Sequence, residues 1–250
     1  MQLEICVDSV ESAIAAQEGG AQRVELCSAL TEAGLTPSIG LIRAVRRRID
    51  IGLYVMIRPR GGDFLYSEDE FALMREDIAE SAKSGANGVV FGLLTEDGEV
   101  DVDRTRELID RARPMEVTFH RAIDMTRDLD AALRDVIQAG ADRLLTSGGA
   151  QSALLGAGRI KRMIQSCNGS IQIMTCGGVR AENVSEIARS TGAGQFHAAV
   201  RQEVGSRVKH RPQSLHLGAS SIDDYARKVV MAEDVRKLRT AMDALEVEER

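Results

Sequence analysis

Short runs of β-branched and aliphatic residues alternate with amphipathic stretches of roughly 10–18 residues along the whole chain. The runs predict strands at 3–7 (LEICV), 23–27 (RVELC), 53–59 (LYVMIRP), 88–94 (GVVFGLL), 116–120 (EVTFH), 143–147 (RLLTS), 170–176 (SIQIMTC) and 194–200 (GQFHAAV). The stretches between them read as helices. Strands separated by helices pair in parallel, because a tight hairpin cannot join parallel neighbours. A faint repeat supports this: Gly20-Ala21, Gly85-Ala86, Gly140-Ala141 and Gly192-Ala193 each precede a strand at the same offset, at intervals of 65, 55 and 52 residues. Each glycine stands where a helix must stop, and each interval holds one further strand. Four such double units give eight strands, the number at which a parallel sheet closes. The predicted fold is therefore α/β, a single-domain (β/α)8 TIM barrel over residues 1–250. An open doubly wound sheet is the alternative, but no GxGxxG follows the first strand, and GAGRIK at 156–161 is helical in pattern. Residues 201–221 carry no strong pattern and are expected to cap one barrel end. Residues 222–246 read as a charged amphipathic terminal helix.

Alternation along each strand sends every second residue to one face. Leu3, Ile5 and Val7 oppose Glu4 and Cys6; Val24 and Leu26 oppose Glu25 and Cys27; Leu53, Val55 and Ile57 oppose Tyr54, Met56 and Arg58; Val117 and Phe119 oppose Thr118 and His120. Thr146, Met174, Cys176, Gln195 and His197 are placed on the polar side of the later strands. The apolar face must meet the helices, so the polar face points inward. Glu4, Glu25, Arg58, Thr118, His120, Thr146 and His197 are thus expected in one interior, with Glu4, Glu25, Arg58, His120 and His197 as the candidate catalytic set. Such a concentration of buried charge is costly unless it is used. The plain alternative is a structural ion network in which Arg58 and a histidine neutralise Glu4 and Glu25.

Three loops are candidates for holding an anion. TSGG (146–149) and CGGV (176–179) place Gly148, Gly149, Gly177 and Gly178 after the sixth and seventh strands, where backbone N–H groups can cradle phosphate. These glycines also suit plain tight turns. In RPRGGDF (58–64), Arg58 or Arg60 could clamp a carboxylate or phosphate, or Asp63 could simply pair with Arg60. Asp101, in TEDGEVD (95–101), is the expected cap of the next helix. No lysine lies on or just beyond a predicted strand, which argues against Schiff-base chemistry.

The 250 residues carry 32 Lys+Arg against 38 Asp+Glu, a formal net charge of −6. That acidic balance argues against nucleic acid or an anionic membrane as partner, and 27 of the basic residues are scattered arginines. The first residues lack the pattern of a signal peptide, and no apolar run approaches the roughly 20 residues that cross a bilayer. Cys6, Cys27, Cys167 and Cys176 form no CxxC, which fits a reducing compartment. The protein is expected to be soluble and cytoplasmic.

The segments EICVDSVESA, RVELC, GLTPS, IRPRGGDFLYS, VFGLLTEDGEVD, VTFHRAID, LTSGG and Phe196-His197 together resemble the CutC copper-homeostasis family, from residue 3 to about 230. The resemblance implies a TIM barrel, a cytoplasmic location and a role in copper tolerance. It implies Cu(I) binding by the cysteines matching Cys6 and Cys27, with mouth residues matching Glu4, Glu25, Arg58, Arg60, Asp63, His120 and Arg121. Ala33 and Ile123 depart from the family's pattern, at positions of packing rather than chemistry. Met56, Met174 and Cys176 share the inward face and add soft atoms, which Cu(I) favours. A polar interior of Glu, Arg and His equally suits a small phosphorylated or carboxylated substrate, handled by acid–base or metal-assisted chemistry. A third reading is a scaffold that self-associates into a homo-oligomer through its terminal helix.

Overall fold

The computed structural model describes residues 1–212 and 223–248. Eight parallel strands form a closed barrel in sequence order: β1 (Gln2–Val7), β2 (Arg23–Leu26), β3 (Gly52–Met56), β4 (Gly88–Phe91), β5 (Glu116–Phe119), β6 (Arg143–Thr146), β7 (Gln172–Thr175) and β8 (Gln195–Ala198). The intervening helices are α1 (Val10–Glu18), α2 (Ile39–Arg46), α3 (Glu68–Lys83), α4 (Val102–Ala112), α5 (Leu129–Ala139), α6 (Ala153–Cys167) and α7 (Val184–Thr191). All eight expected strands are present, each within its predicted run or extended by one residue at its N-terminal end. Except in β1, their C-terminal ends come earlier, because residues such as Cys27, Arg58 and His120 already belong to the loops of the mouth.

Local signals set the helix ends. Ser9, Ser38, Asp101, Asp128 and Ser152 each accept a backbone N–H in the first turn of the helix that follows. Ser67 and Glu70 form a reciprocal capping box at α3. The four glycines of the repeat all have positive φ: 93° at Gly20, 85° at Gly85, 96° at Gly140 and 73° at Gly192. A side chain there would be strained, so the repeat is a set of helix stops. Leu3, Ile5, Val24, Leu26, Leu53, Val55 and Ile57 are fully buried between barrel and helices.

The tail departs from expectation. Arg201–Gly205 (β9) pairs antiparallel with Ala226–Val230 (β10), so a two-stranded ribbon replaces both the patternless cap and the start of the predicted helix. Residues 213–221 of the expected 201–221 cap, and residue 222 of the expected helix, lie outside the described residues. The ribbon docks beside the loops after β1 and β2: the Val230 N–H donates to Ser12 Oγ at 3.2 Å, and Arg201 lies 3.9 Å from Asp8. Lys228 lies on this ribbon, outside the barrel. The last helix, α8, runs from Ala232 to Glu248 and packs on α1 and α7. Its apolar stripe of Val235, Leu238, Met242 and Leu245 is buried within its own chain, leaving that stripe unavailable for joining copies. No helix among the described residues is long and apolar enough to cross a membrane.

Candidate functional site

Register places the inward side chains in layers. The lowest layer closes the N-terminal end of the barrel. Arg23, the first residue of β2, bonds Gln2 Oε1 at 2.9 Å, Gln195 Oε1 at 2.7 Å and Glu4 Oε2 at 2.8 Å. Arg143, the first residue of β6, bonds the same Gln195 oxygen at 2.9 Å, Thr118 Oγ1 at 3.2 Å and Glu116 Oε2 at 3.0 Å. Both guanidiniums lie over the Tyr54 ring, 5.4 and 5.3 Å from its centre, and the Tyr54 hydroxyl donates to Glu116 at 2.5 Å. A Cβ on Gly88 would stand 2.4 Å from the Tyr54 ring, so only glycine admits the ring across the floor.

Above that floor, β1, β2 and β8 bring two carboxylates, two thiols and an imidazole together. His197 Nδ1 lies 2.7 Å from Glu4 Oε1, and His197 Nε2 lies 3.9 Å from Glu25 Oε2. Cys6 and Cys27 hold their sulfurs 4.0 Å apart, and Cys27 donates to Glu25 Oε2 at 3.5 Å. Two overlapping sets, Cys6–Glu25–Cys27 and Glu4–Glu25–His197, each have one ligand atom per residue within 4.8 Å of the others.

The electrostatics divide these groups sharply. Burial raises Glu4, but the His197 hydrogen bond and the Arg23 and Arg143 charges overcome it and hold the carboxyl at about 2. Burial, with the Cys6 and Glu4 charges, pushes Glu25 well above the carboxylate range against the pull of His197. The hydrogen bond with Cys27, supported by His197, brings Cys6 down to about 5 despite its burial. The same bond and burial push the Cys27 thiol well above its ordinary value. Burial lowers His197, but Glu25, Cys6 and Glu4 outweigh it and lift the ring well above 6.5. The directions thus set the groups apart: Glu4 and Cys6 are drawn towards their anions and His197 towards its cation, while Glu25 and Cys27 are drawn towards their protonated forms.

Arg58 and His120 do not join this cluster. Arg58, rather than neutralising Glu4 or Glu25, gives its terminal nitrogens to the carbonyls of Glu32, Gly34 and Gly62. Arg23 is the partner of Glu4 instead. His120 caps a 3-10 turn (Arg121–Met125), its Nδ1 accepting from the Ala122 N–H at 3.2 Å. Burial and the Arg58 charge push it down to about 3. Six of the seven residues expected in one interior thus fall into a β1–β2–β8 group, a β3–β5 group, and Thr118 in the floor.

Thr146 is a correction of face. Arg143 and Leu145 are the inward residues of β6, and Thr146 points the other way to donate to Asp124 Oδ1 at 2.5 Å. Asp124 also fills the loop expected to cradle phosphate: it accepts from the N–H groups of Ser147 and Gly149, while the Gly148 N–H donates to Thr146 Oγ1. Gly177 and Gly178 take positive φ and shape the turn into α7; the Gly177 carbonyl accepts from the Ala153 N–H, and the Gly178 carbonyl from Asn183. Arg60 bonds Glu70 at 2.6 Å and Asp63 at 3.0 Å, the plain turn foreseen as its alternative. Met56 packs with Cys6 and Cys27, whereas Met174 and Cys176 pack with Leu145 in a separate cluster.

Sequence reasoning missed Arg23 and Arg143. A basic residue at the start of a strand looks like a solvent edge, yet Arg23 shares parity with Glu25 and Cys27, and that was the available signal.

The chain matches the model of the CutC family over residues 1–202. It is 50% identical over 241 residues to a CutC family protein of Chromobacterium violaceum, covering 96% of this chain and 98% of that one. It is 47% identical over 239 residues to the copper homeostasis protein cutC homolog of Homo sapiens, covering 95% and 86% respectively. The crystal structure of a CutC protein from Streptococcus agalactiae superposes with a TM-score of 0.75 at 30% identity, covering 79% of this chain and 97% of that one. The match runs through every strand that supplies the interior cluster, and on this likeness the chain belongs to the CutC family.

Proposed function

We propose that this chain binds one Cu(I) ion as cargo between Cys6 and Cys27, in the service of copper homeostasis. The observation that carries the proposal is the 4.0 Å separation of the two buried sulfurs. An ion set off the line between them can lie ~2.3 Å from both, a metal–thiolate bond length, whereas a point midway would be only about 2 Å from each. Soft thiolate ligands select Cu(I), and Met56 packs against the same pair. Charge favours a monovalent ion. Cys6 is already a thiolate, so exchanging the Cys27 proton for Cu(I) leaves the charge of the well unchanged. A divalent ion would add a positive charge beside Arg23, Arg143 and His197. A cleft of ≈ 640 Å³ between the β9–β10 ribbon and the loops after β1 and β2 gives an approach, lined by Asp8, Leu30, Arg201 and Arg227. Leu30 packs against both the cleft and the thiol cluster. A reducing cytoplasm would keep both thiols available.

Anaerobic Cu(I) titration against a competing chelator tests the proposal. Wild type should bind one ion per chain, and Cys6→Ser and Cys27→Ser should each weaken binding at least about a hundredfold. Unchanged stoichiometry and affinity in the double variant would overturn it.

A second reading rests on the divergence of Glu4 and Glu25. Two nearby carboxyls pushed apart in pKa are the usual arrangement of an acid–base pair. Here protonated Glu25 would serve as the acid towards a small anionic substrate. Turnover in a metabolite screen that Glu25→Gln abolishes would support this reading; no turnover with any phosphorylated or carboxylated compound would sink it.

A further inference from the structure

We propose that Arg58, Tyr66 and His120 form a second ligand site, on the β3–β5 side of the mouth, that takes the oxyanion of a small carboxylate or phosphate compound. The proposal does not depend on copper. All three side chains are about 4% exposed, and each ends in a polar atom without a hydrogen-bond partner: Arg58 Nε, the Tyr66 hydroxyl and His120 Nε2. A buried donor left unpaired costs roughly 1–3 kcal/mol, and three in one neighbourhood ask for an acceptor.

The chemistry of the three is uniform. Arg58 makes no ion pair with a carboxylate among the described residues, although its charge reaches the Asp63 carboxyl; its terminal nitrogens bond backbone carbonyls. His120 accepts at Nδ1 from Ala122, so the proton of the neutral ring sits on Nε2. Burial pushes the Tyr66 phenol up to about 12 against the pull of Arg58, so it keeps its proton. One cation and two neutral donors, with no acceptor, match a single oxyanion. Arg58 is the common neighbour, its charge acting on both the phenol and the imidazole. The Phe64 ring supplies the apolar wall, 5.0 Å from the guanidinium and 4.9 Å from the imidazole. Gly92 lets the imidazole take this position, since a Cβ there would stand 2.6 Å from His120 Nδ1. Arg58 lies two residues beyond β3 and His120 directly follows β5, at the end where such barrels hold their ligands.

The test is titration of the full chain with inorganic phosphate and, separately, acetate, read from the His120 ring nitrogens by NMR. A saturable shift with phosphate alone, acetate alone or both supports the site and names its ligand chemistry. Tyr66→Phe removes a hydroxyl with no partner in the free protein, so its thermal midpoint should hold or rise while anion affinity drops about threefold to tenfold. The Cys6→Ser, Cys27→Ser variant should bind the anion as wild type does, which separates this site from the copper proposal. Absence of any His120 shift at tens of millimolar of both anions overturns the proposal, as does wild-type affinity in Tyr66→Phe.

Discussion

Glu4 Oε1 and His197 Nδ1 meet at 2.7 Å across 193 positions of sequence, at the seam where β8 closes on β1. The other oxygen of Glu4 is held by Arg23, so one fully buried carboxylate ties the seam to β2. Glu4→Gln keeps the shape and removes the charge that both cations face. It should destabilise the fold by about 3–5 kcal/mol, because buried cations are left uncompensated. Urea unfolding measures this. Adding Arg23→Met should lose less than the sum of the two single changes, since both act on one network.

At the proposed Cu(I) site, proton release should accompany metal capture. With Cys6 at about 5 and Cys27 well above its ordinary value, Cu(I) at pH 7 should displace about one proton, the one on Cys27. Below pH about 5, where Cys6 is protonated as well, the count should approach two. Calorimetry in buffers of different ionisation enthalpy gives the number, and two protons at pH 7 would contradict the charge assignment of the thiols.

The His120 ring makes stability fall on acidification. Its folded value is about 3 against an ordinary 6.5, so above pH 6.5 neither state holds the proton and the ring contributes nothing. As pH drops below 6.5 the unfolded chain takes a proton that the folded chain refuses. Stability is then lost at about 1.4 kcal/mol per pH unit until the folded value is reached. His197 has the opposite sign, its contribution being full below 6.5 and lost as pH rises through its raised folded value. Urea unfolding of wild type and His120→Asn at pH 7, 6 and 5 should show the two curves converging as pH falls. A constant difference between them would contradict the buried neutral ring.

Two glycines of α6 should respond oppositely to alanine. A Cβ on Gly156 would stand 1.9 Å from the Ser147 carbonyl oxygen, whereas one on Gly158 meets nothing within 4 Å. Gly156→Ala forces the helix off the loop after β6 and should cost about 1–3 kcal/mol. Gly158→Ala should gain up to about 1 kcal/mol from helix propensity. Thermal unfolding of the two variants checks the pair.

The barrel was legible because its signals are local and repeated: eight apolar runs, four glycine stops and serine or aspartate caps each act within a few residues. Parity placed Glu4, Cys6, Glu25, Cys27 and His197 inside correctly. What it could not supply was position around the barrel. Met174 and Cys176 share the face of Cys6 yet pack with Leu145 in a separate cluster. Thr146 was misplaced because a polar residue in RLLTS looked inward, when the inward set of that strand starts from a charged residue, Arg143. Arg58 has inward parity, but the carbonyls of two loops capture it, and contacts made by loops leave no periodic trace. The β9–β10 ribbon was hidden because ARKVV carries two charges and pairs only with a partner more than twenty residues away.

The layer of Arg23, Arg143, Tyr54, Glu116 and Gln195 makes the interior a cul-de-sac. Among the described residues this floor closes the barrel below Cys6 and Cys27, which leaves the mouth as the way in. If the chain carries copper as proposed, loading and unloading would share one doorway, and a donor and an acceptor would have to take turns there.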